Sequence, residues 1–236
     1  MTGRVHSVQT LGTLDGPGVR YVLFLQGCPL RCGCCHNPDT WEFSGGKEMT
    51  AAEVFAQVQR YRPYFGANGG ITLSGGEALL QADFAAELFG LCKAAGIHTC
   101  LDTSGCILTE SVKNLLRVTD LVLLDIKYTT DEKYRAYVGC CLQSVVDFLD
   151  YLAAEGIATW LRQVVIEGKN DDAENFAALA QIAKSHANVE KTQLLAFRKL
   201  CSTKYEALQK PFIFGDIPET SADKLRLLQE KLDRML

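Results

Sequence analysis

The sequence predicts an α/β fold: a partial (β/α)6 TIM-like barrel of parallel strands with outer helices. Three observations carry this. Six short, apolar, β-branched runs recur along the chain, helical patterns alternate with them, and polar or charged residues gather just after the runs. The runs are Tyr21–Leu25, Ile71–Leu73, His98–Leu101, Leu121–Leu124, Thr159–Val165 and Gln193–Ala196. Several are apolar on both faces, as strands buried in a parallel sheet are.

The helices follow in order. Thr50 is placed to cap a helix running to about Tyr61, with Glu53 at the capping-box position. Ala82–Ala95 repeats apolar residues at helical spacing and stops at Gly96, a residue suited to the turn after a helix. Glu110–Val118, Gln143–Glu155, Ala173–His186 and Ser221–Leu236 repeat the pattern, with Gly156 ending the fourth helix. The alternation of strand and helix calls for a parallel sheet with crossover helices. Six units are too few for a closed eight-stranded barrel; an open partial barrel fits, with a doubly wound sheet as the alternative. No repeat, low-complexity segment or linker interrupts the 236 residues, so one domain spanning 1–236 is expected.

Composition narrows the function classes. The chain is 47% hydrophobic, enough for a sizeable core. Its 24 basic residues against 28 acidic ones form no basic run, which argues against nucleic acid as a partner. No stretch of 18 apolar residues is present, so no membrane helix is expected. The opening segment lacks the long apolar core of a signal peptide, which points to the cytoplasm. There, the ten cysteines are expected to be reduced, some of them as metal ligands.

The sharpest feature is Cys28-Pro29-Leu30-Arg31-Cys32-Gly33-Cys34-Cys35. Cys28, Cys32 and Cys35 follow a C-x3-C-x2-C spacing, which lets one loop wrap three soft thiolates around a metal centre. Three thiolates on a four-iron cluster leave one iron open to a cofactor. A structural zinc site, with Cys34 or His36 as fourth ligand, is the plainer alternative. It lacks the second C-x2-C pair that such sites usually carry downstream. Polar residues follow each strand: Ser74, Gly75, Gly76 and Glu77 after the second, Asp102, Thr103 and Ser104 after the third, Asp125 and Lys127 after the fourth. In open parallel folds these strand ends form the site. Asp125 and Lys127, two apart at a strand end, project the same way. Arg162, in an otherwise apolar strand, calls for an anionic partner.

Together these motifs resemble the radical S-adenosylmethionine superfamily, and within it the activating enzymes of glycyl radical enzymes. The resemblance rests on Asp15-Gly16-Pro17-Gly18-Val19-Arg20, the cysteine loop, Cys35-His36-Asn37, Thr40-Trp41, Gly45-Gly46-Lys47-Glu48, Ser74-Gly75-Gly76-Glu77, Thr99–Gly105 and Asp125-Ile126-Lys127. Only 39 residues, none a cysteine, separate Cys35 from Gly75, so there is no room for a cysteine-rich insert. The chain is thus similar to the compact pyruvate formate-lyase type.

The resemblance implies a [4Fe-4S] cluster on Cys28, Cys32 and Cys35 that reductively cleaves S-adenosylmethionine. It implies cofactor contacts from Cys34, Cys35, His36, Gly75, Gly76, Glu77, Asp102, Asp125, Ile126, Lys127, Arg162 and Arg198. It implies a monovalent cation at Asp102, Thr103 and Asp125, near the Leu123 carbonyl. Asp15 and Arg20 would hold the glycine-bearing loop of the protein substrate, pyruvate formate-lyase or another glycyl radical enzyme. A flavodoxin- or ferredoxin-type protein would donate the electron to a monomeric enzyme, and no catalytic side chain is needed beyond the cluster ligands. Two positions depart from the family: Cys34 stands where an aromatic residue usually precedes the third cysteine, and Arg198 where close relatives carry His. The rival readings are a radical enzyme acting on a small molecule or nucleotide and a non-catalytic zinc-binding module.

Overall fold

The computed structural model describes all 236 residues. Its strands are β1 (Thr2–Gly12), β2 (Arg20–Leu25), β3 (Lys47–Thr50), β4 (Gly70–Gly75), β5 (His98–Thr103), β6 (Leu121–Asp125), β7 (Thr159–Val165) and β8 (Val189–Ala196). The helices are α1 (Ala51–Tyr61), α2 (Ala82–Ala94), α3 (Glu110–Leu116), α4 (Asp131–Tyr137), α5 (Leu142–Ala154), α6 (Ala173–Lys184), α7 (Ser202–Ala207) and α8 (Ala222–Asp233). The strands form one open, mostly parallel sheet in the order β3-β1-β2-β4-β5-β6-β7-β8. The chain divides into two compact units, Met1–Pro29 with Thr40–Leu123, and Leu30–Asp39 with Leu124–Leu236.

All six predicted strands are present, β7 with the predicted bounds. The predicted helix ends hold as well. Thr50 accepts from the Glu53 amide and Glu53 accepts from the Thr50 amide, closing the capping box at 3.1 and 2.8 Å. Gly96, at φ +69°, takes the left-handed turn after α2. The sequence pattern misses β1 and β3, which pair antiparallel at one edge of the first unit. Much of β1 is exposed on both faces, so it carries no clean alternation to read. It also misses the short helices α4 and α7, of seven and six residues, in which only Tyr134 and Tyr205 respectively are buried, so no apolar stripe marks them.

In the first unit, β2 runs parallel to β4, and β4 to β5. Arg20 opens β2 opposite Gly70, and Gly70 lies opposite His98. The Asp15–Arg20 segment is therefore the β1–β2 turn at the starting edge of these strands. The cysteine loop leaves the other edge, ~17 Å of extended strand away. Arg20 is fully buried. It donates to the Thr72 hydroxyl (2.6 Å), the carbonyls of Pro17 (3.0 Å) and His98 (3.2 Å), and the carbonyl of Ile71. Thr72 in turn donates to the Asp15 carbonyl at 2.6 Å. Gly18 is in the left-handed region, and a side chain there would collide with the Gly69 backbone.

Asp15 keeps a partly exposed side chain, whereas that of Arg20 is enclosed. Arg20 staples the turn to the starts of three strands and has no surface with which to touch a protein substrate. Its burial depresses the guanidinium pKa, but the ring of acceptors satisfies its donors. Replacing Arg20 with Met strands several buried carbonyls and the Thr72 hydroxyl. It should cost about 2–4 kcal/mol, read as a lower urea midpoint for unfolding.

Candidate active site

In the first unit the ends of β2, β4 and β5 converge. The Gly76 amide donates to the Leu25 carbonyl at 2.8 Å and the Glu77 amide to the Gly27 carbonyl at 2.9 Å. A side chain on Gly76 would meet the Gly27 oxygen at 2.2 Å, and one on Gly75 would meet the Leu25 amide at 2.2 Å. The two glycines are thus required for β4 to close against the chain that carries Cys28. That chain is held from its other side too: the Gly27 and Cys28 amides donate to the carbonyls of Thr40 (2.8 Å) and Trp41 (3.3 Å).

The Glu77 carboxylate is 2% exposed. It accepts from the Thr103 hydroxyl (2.6 Å), the Ser104 amide (3.1 Å), the Leu79 amide (3.2 Å) and the Ser104 hydroxyl. The sequence reading gave this carboxylate to the cofactor. Here four protein donors engage it, and it ties the end of β4 to the end of β5. Thr103 also accepts from the Gly105 amide at 3.1 Å, and Asp102 accepts from Ser74 at 2.8 Å. These oxygens take part in the protein's own hydrogen-bond network at the strand ends.

The remainder of the cysteine loop belongs to the second unit. The Arg31 and Gly33 amides donate to the carbonyls of Val138 and Tyr137, each at 2.9 Å, and the Cys35 amide closes a turn on the Cys32 carbonyl at 3.1 Å. Gly33 lies beneath the Phe214 ring, which a side chain at that position would strike. Residues after the third cysteine are gripped by the segment following β8. His36 Nε2 donates to the Arg198 carbonyl at 2.9 Å, Lys204 Nζ donates to Asn37 at 2.9 Å and pairs with Asp39 at 3.0 Å, and the Tyr205 hydroxyl donates to the Cys35 carbonyl at 3.1 Å. Tyr205 is buried and stacked on Phe212 at 4.6 Å.

At the end of β6 the predicted pairings are present. Lys127 Nζ lies 3.0 Å from one Asp125 oxygen, and Arg162 Nη2 lies 3.0 Å from the other. Burial alone would raise the Asp125 carboxyl; Lys127 and Arg162 outweigh it and hold the group below the usual carboxylate range. Two cations against one carboxylate leave this corner net positive and suited to an anionic group. Cys34 lines the same narrow pocket, with Asp125, Lys127, Tyr128, Arg162, Val164 and Ile166. Burial pushes its thiol up to about 11.

Ile126 and Arg198, both expected at the cofactor, have partners within the protein. Ile126 is fully buried, its amide donating to the Arg162 carbonyl at 2.9 Å and its carbonyl accepting from Gln163 at 3.0 Å, which ties the end of β6 to β7. The Arg198 side chain pairs with Glu219 at 3.3 Å and lines a groove between β8 and α8 instead of the Asp125 pocket. Sequence reasoning missed Tyr128, Lys204, Tyr205 and Phe214. Only the Tyr128, Tyr134, Tyr137 spacing carried a signal, a cluster of phenols just past a strand end.

No group of three or more His, Cys, Asp or Glu side chains stands preassembled around a point. The fit to an iron–sulfur cluster rests on donor chemistry. Three soft thiols lie on one loop whose backbone is anchored at both ends, and Lys127 places positive charge near Cys32. Glu77→Gln should turn an amide N–H toward the donors of Ser104 or Leu79. A loss of about 2–3 kcal/mol in urea unfolding is expected.

Comparison with known proteins agrees with this site. The Radical SAM superfamily model matches residues 22–180. The pyruvate formate-lyase-activating enzyme of Clostridium pasteurianum is 43% identical over 235 residues, covering 99% of this chain and 98% of that one. The pyruvate formate-lyase 1-activating enzyme of Escherichia coli K12 is 43% identical over 213 residues, covering 89% and 87%. Among solved structures, Streptococcus suis SuiB bound to precursor peptide SuiA shares the fold, with a TM-score of 0.69 and 16% identity over 87% of this chain and 43% of that one. With its three-thiol loop and this similarity along nearly its whole length, the chain belongs to the radical SAM superfamily, in the family of the pyruvate formate-lyase-activating enzymes.

Proposed function

We propose that this chain activates a glycyl radical enzyme, pyruvate formate-lyase being the best fit. The observation that carries the reading is the loop with three thiols at C-x3-C-x2-C spacing, its backbone fastened through the amides of Gly27, Cys28, Arg31 and Gly33. When bound there, a [4Fe-4S] cluster with S-adenosylmethionine supplies one-electron cleavage of a carbon–sulfur bond and removal of hydrogen from a backbone glycine of the partner.

The chain's own residues position and shield these groups. Cys28, Cys32 and Cys35 hold the cluster. Gly75 and Gly76 fix the backbone that carries Cys28. Lys127 and Arg162 supply positive charge for the anionic end of the cofactor, and Asp125 keeps both in place. No side chain acts as acid or base. The electron comes from a flavodoxin- or ferredoxin-type protein, and the enzyme works as a monomer in the cytoplasm; no helix of the chain is long and apolar enough to cross a membrane.

Anaerobic reconstitution, reduction and addition of S-adenosylmethionine should yield 5′-deoxyadenosine from the wild type and none from Cys32→Ala. Adding pyruvate formate-lyase should then give a glycyl radical signal in electron paramagnetic resonance. Bound zinc, no iron and no product would move the chain to a zinc-binding module.

A further inference from the structure

Three tyrosines gather beside the Asp125 pocket, and two of them have their hydroxyls engaged. The Tyr134 hydroxyl accepts from the Lys127 amide at 3.0 Å, and the Tyr137 hydroxyl accepts from Lys169 Nζ at 3.0 Å. The third, Tyr128, packs against both rings, at 6.3 Å from Tyr134 and 5.6 Å from Tyr137. It is 2% exposed, and its hydroxyl has no hydrogen-bond partner. Tyr128 also lines the pocket formed with Cys34, Asp125, Lys127 and Arg162.

A buried hydroxyl without a partner costs about 1–3 kcal/mol. The ring's packing does not require it, since phenylalanine fills the same space. In this pocket the neighbouring charged groups are paired among themselves, Asp125 with Lys127 and Arg162. The two cations outnumber the carboxylate, so an acceptor oxygen on a ligand is favoured there. A phenol donor among them is therefore a vacant half of a hydrogen bond.

We propose that Tyr128 is a cofactor-binding residue, whose hydroxyl donates to an acceptor oxygen of bound S-adenosylmethionine. This rests on the function proposed above. It assigns to Tyr128 an energetic signature opposite to that of a structural tyrosine. Its hydroxyl lowers the stability of the free protein and raises affinity for the ligand.

The test compares Tyr128→Phe with Tyr134→Phe, whose hydroxyl already has a protein partner. Thermal unfolding of the apoproteins is measured first. Equilibrium dialysis of S-adenosylmethionine against the reconstituted, unreduced proteins follows. Tyr128→Phe should unfold no lower than the wild type and bind S-adenosylmethionine about five- to tenfold more weakly. Tyr134→Phe should unfold at a lower temperature. Wild-type affinity in Tyr128→Phe overturns the proposal and leaves the function standing. So does a fall in unfolding temperature as large as that of Tyr134→Phe, because the hydroxyl then has a partner within the protein. A reconstituted wild type that binds no S-adenosylmethionine overturns both readings.

Discussion

The closure of β4 against the chain leaving β2 is the constraint on which the first half of the site depends. Two amides, of Gly76 and Glu77, reach the carbonyls of Leu25 and Gly27, and no side chain fits between them. The same contact sets where Cys28 emerges and consumes the Glu77 carboxylate from behind through Thr103 and Ser104. A glycine pair explicable by the approach of a ligand is here demanded first by the approach of the protein's own backbone. The two demands are compatible, because a strand end stripped of side chains is open on its remaining face.

The second unit manages its part of the loop differently. There the backbone of Arg31 and Gly33 is fastened to the end of α4, and residues Cys35 to Asp39 are fastened to the segment after β8. The anchors are hydrogen bonds to backbone carbonyls, the contacts of Lys204 with Asn37 and Asp39, and a stacked aromatic pair. Fixing the backbone in advance lowers the ordering entropy that ligand binding must otherwise overcome. It also explains why a short, unremarkable helix such as α7 lies where it does: Lys204 and Tyr205 are its contribution.

Charge is arranged with similar economy. Asp125 stays ionised in a buried corner because two cations face it, and breaking either pair would leave a charge uncompensated. Arg20, at the starting edge of the strands in the first unit, is held chiefly by carbonyl and hydroxyl acceptors, with the charges of Asp120 and Asp15 adding to them. One buried arginine therefore belongs to a pocket and the other to a staple, although both stand in motifs that look equally functional on paper.

The sequence by itself determined the parallel α/β architecture, the six central strands, the capped helices and the three cluster cysteines. These are local properties: period, capping chemistry and spacing along one loop. It also predicted that Asp125 and Lys127 project the same way; β6 ends at Asp125, yet the two side chains do meet. Tertiary structure alone decided which polar groups are consumed by the protein and which are left for a ligand. Glu77, Thr103, Ile126 and Arg20 carry the right chemistry, but their hydrogen bonds are made to residues 2 to 78 positions away. Tyr128 is the converse case: nothing in its neighbours along the chain marks it, and only the packing around it reveals a buried hydroxyl with no partner.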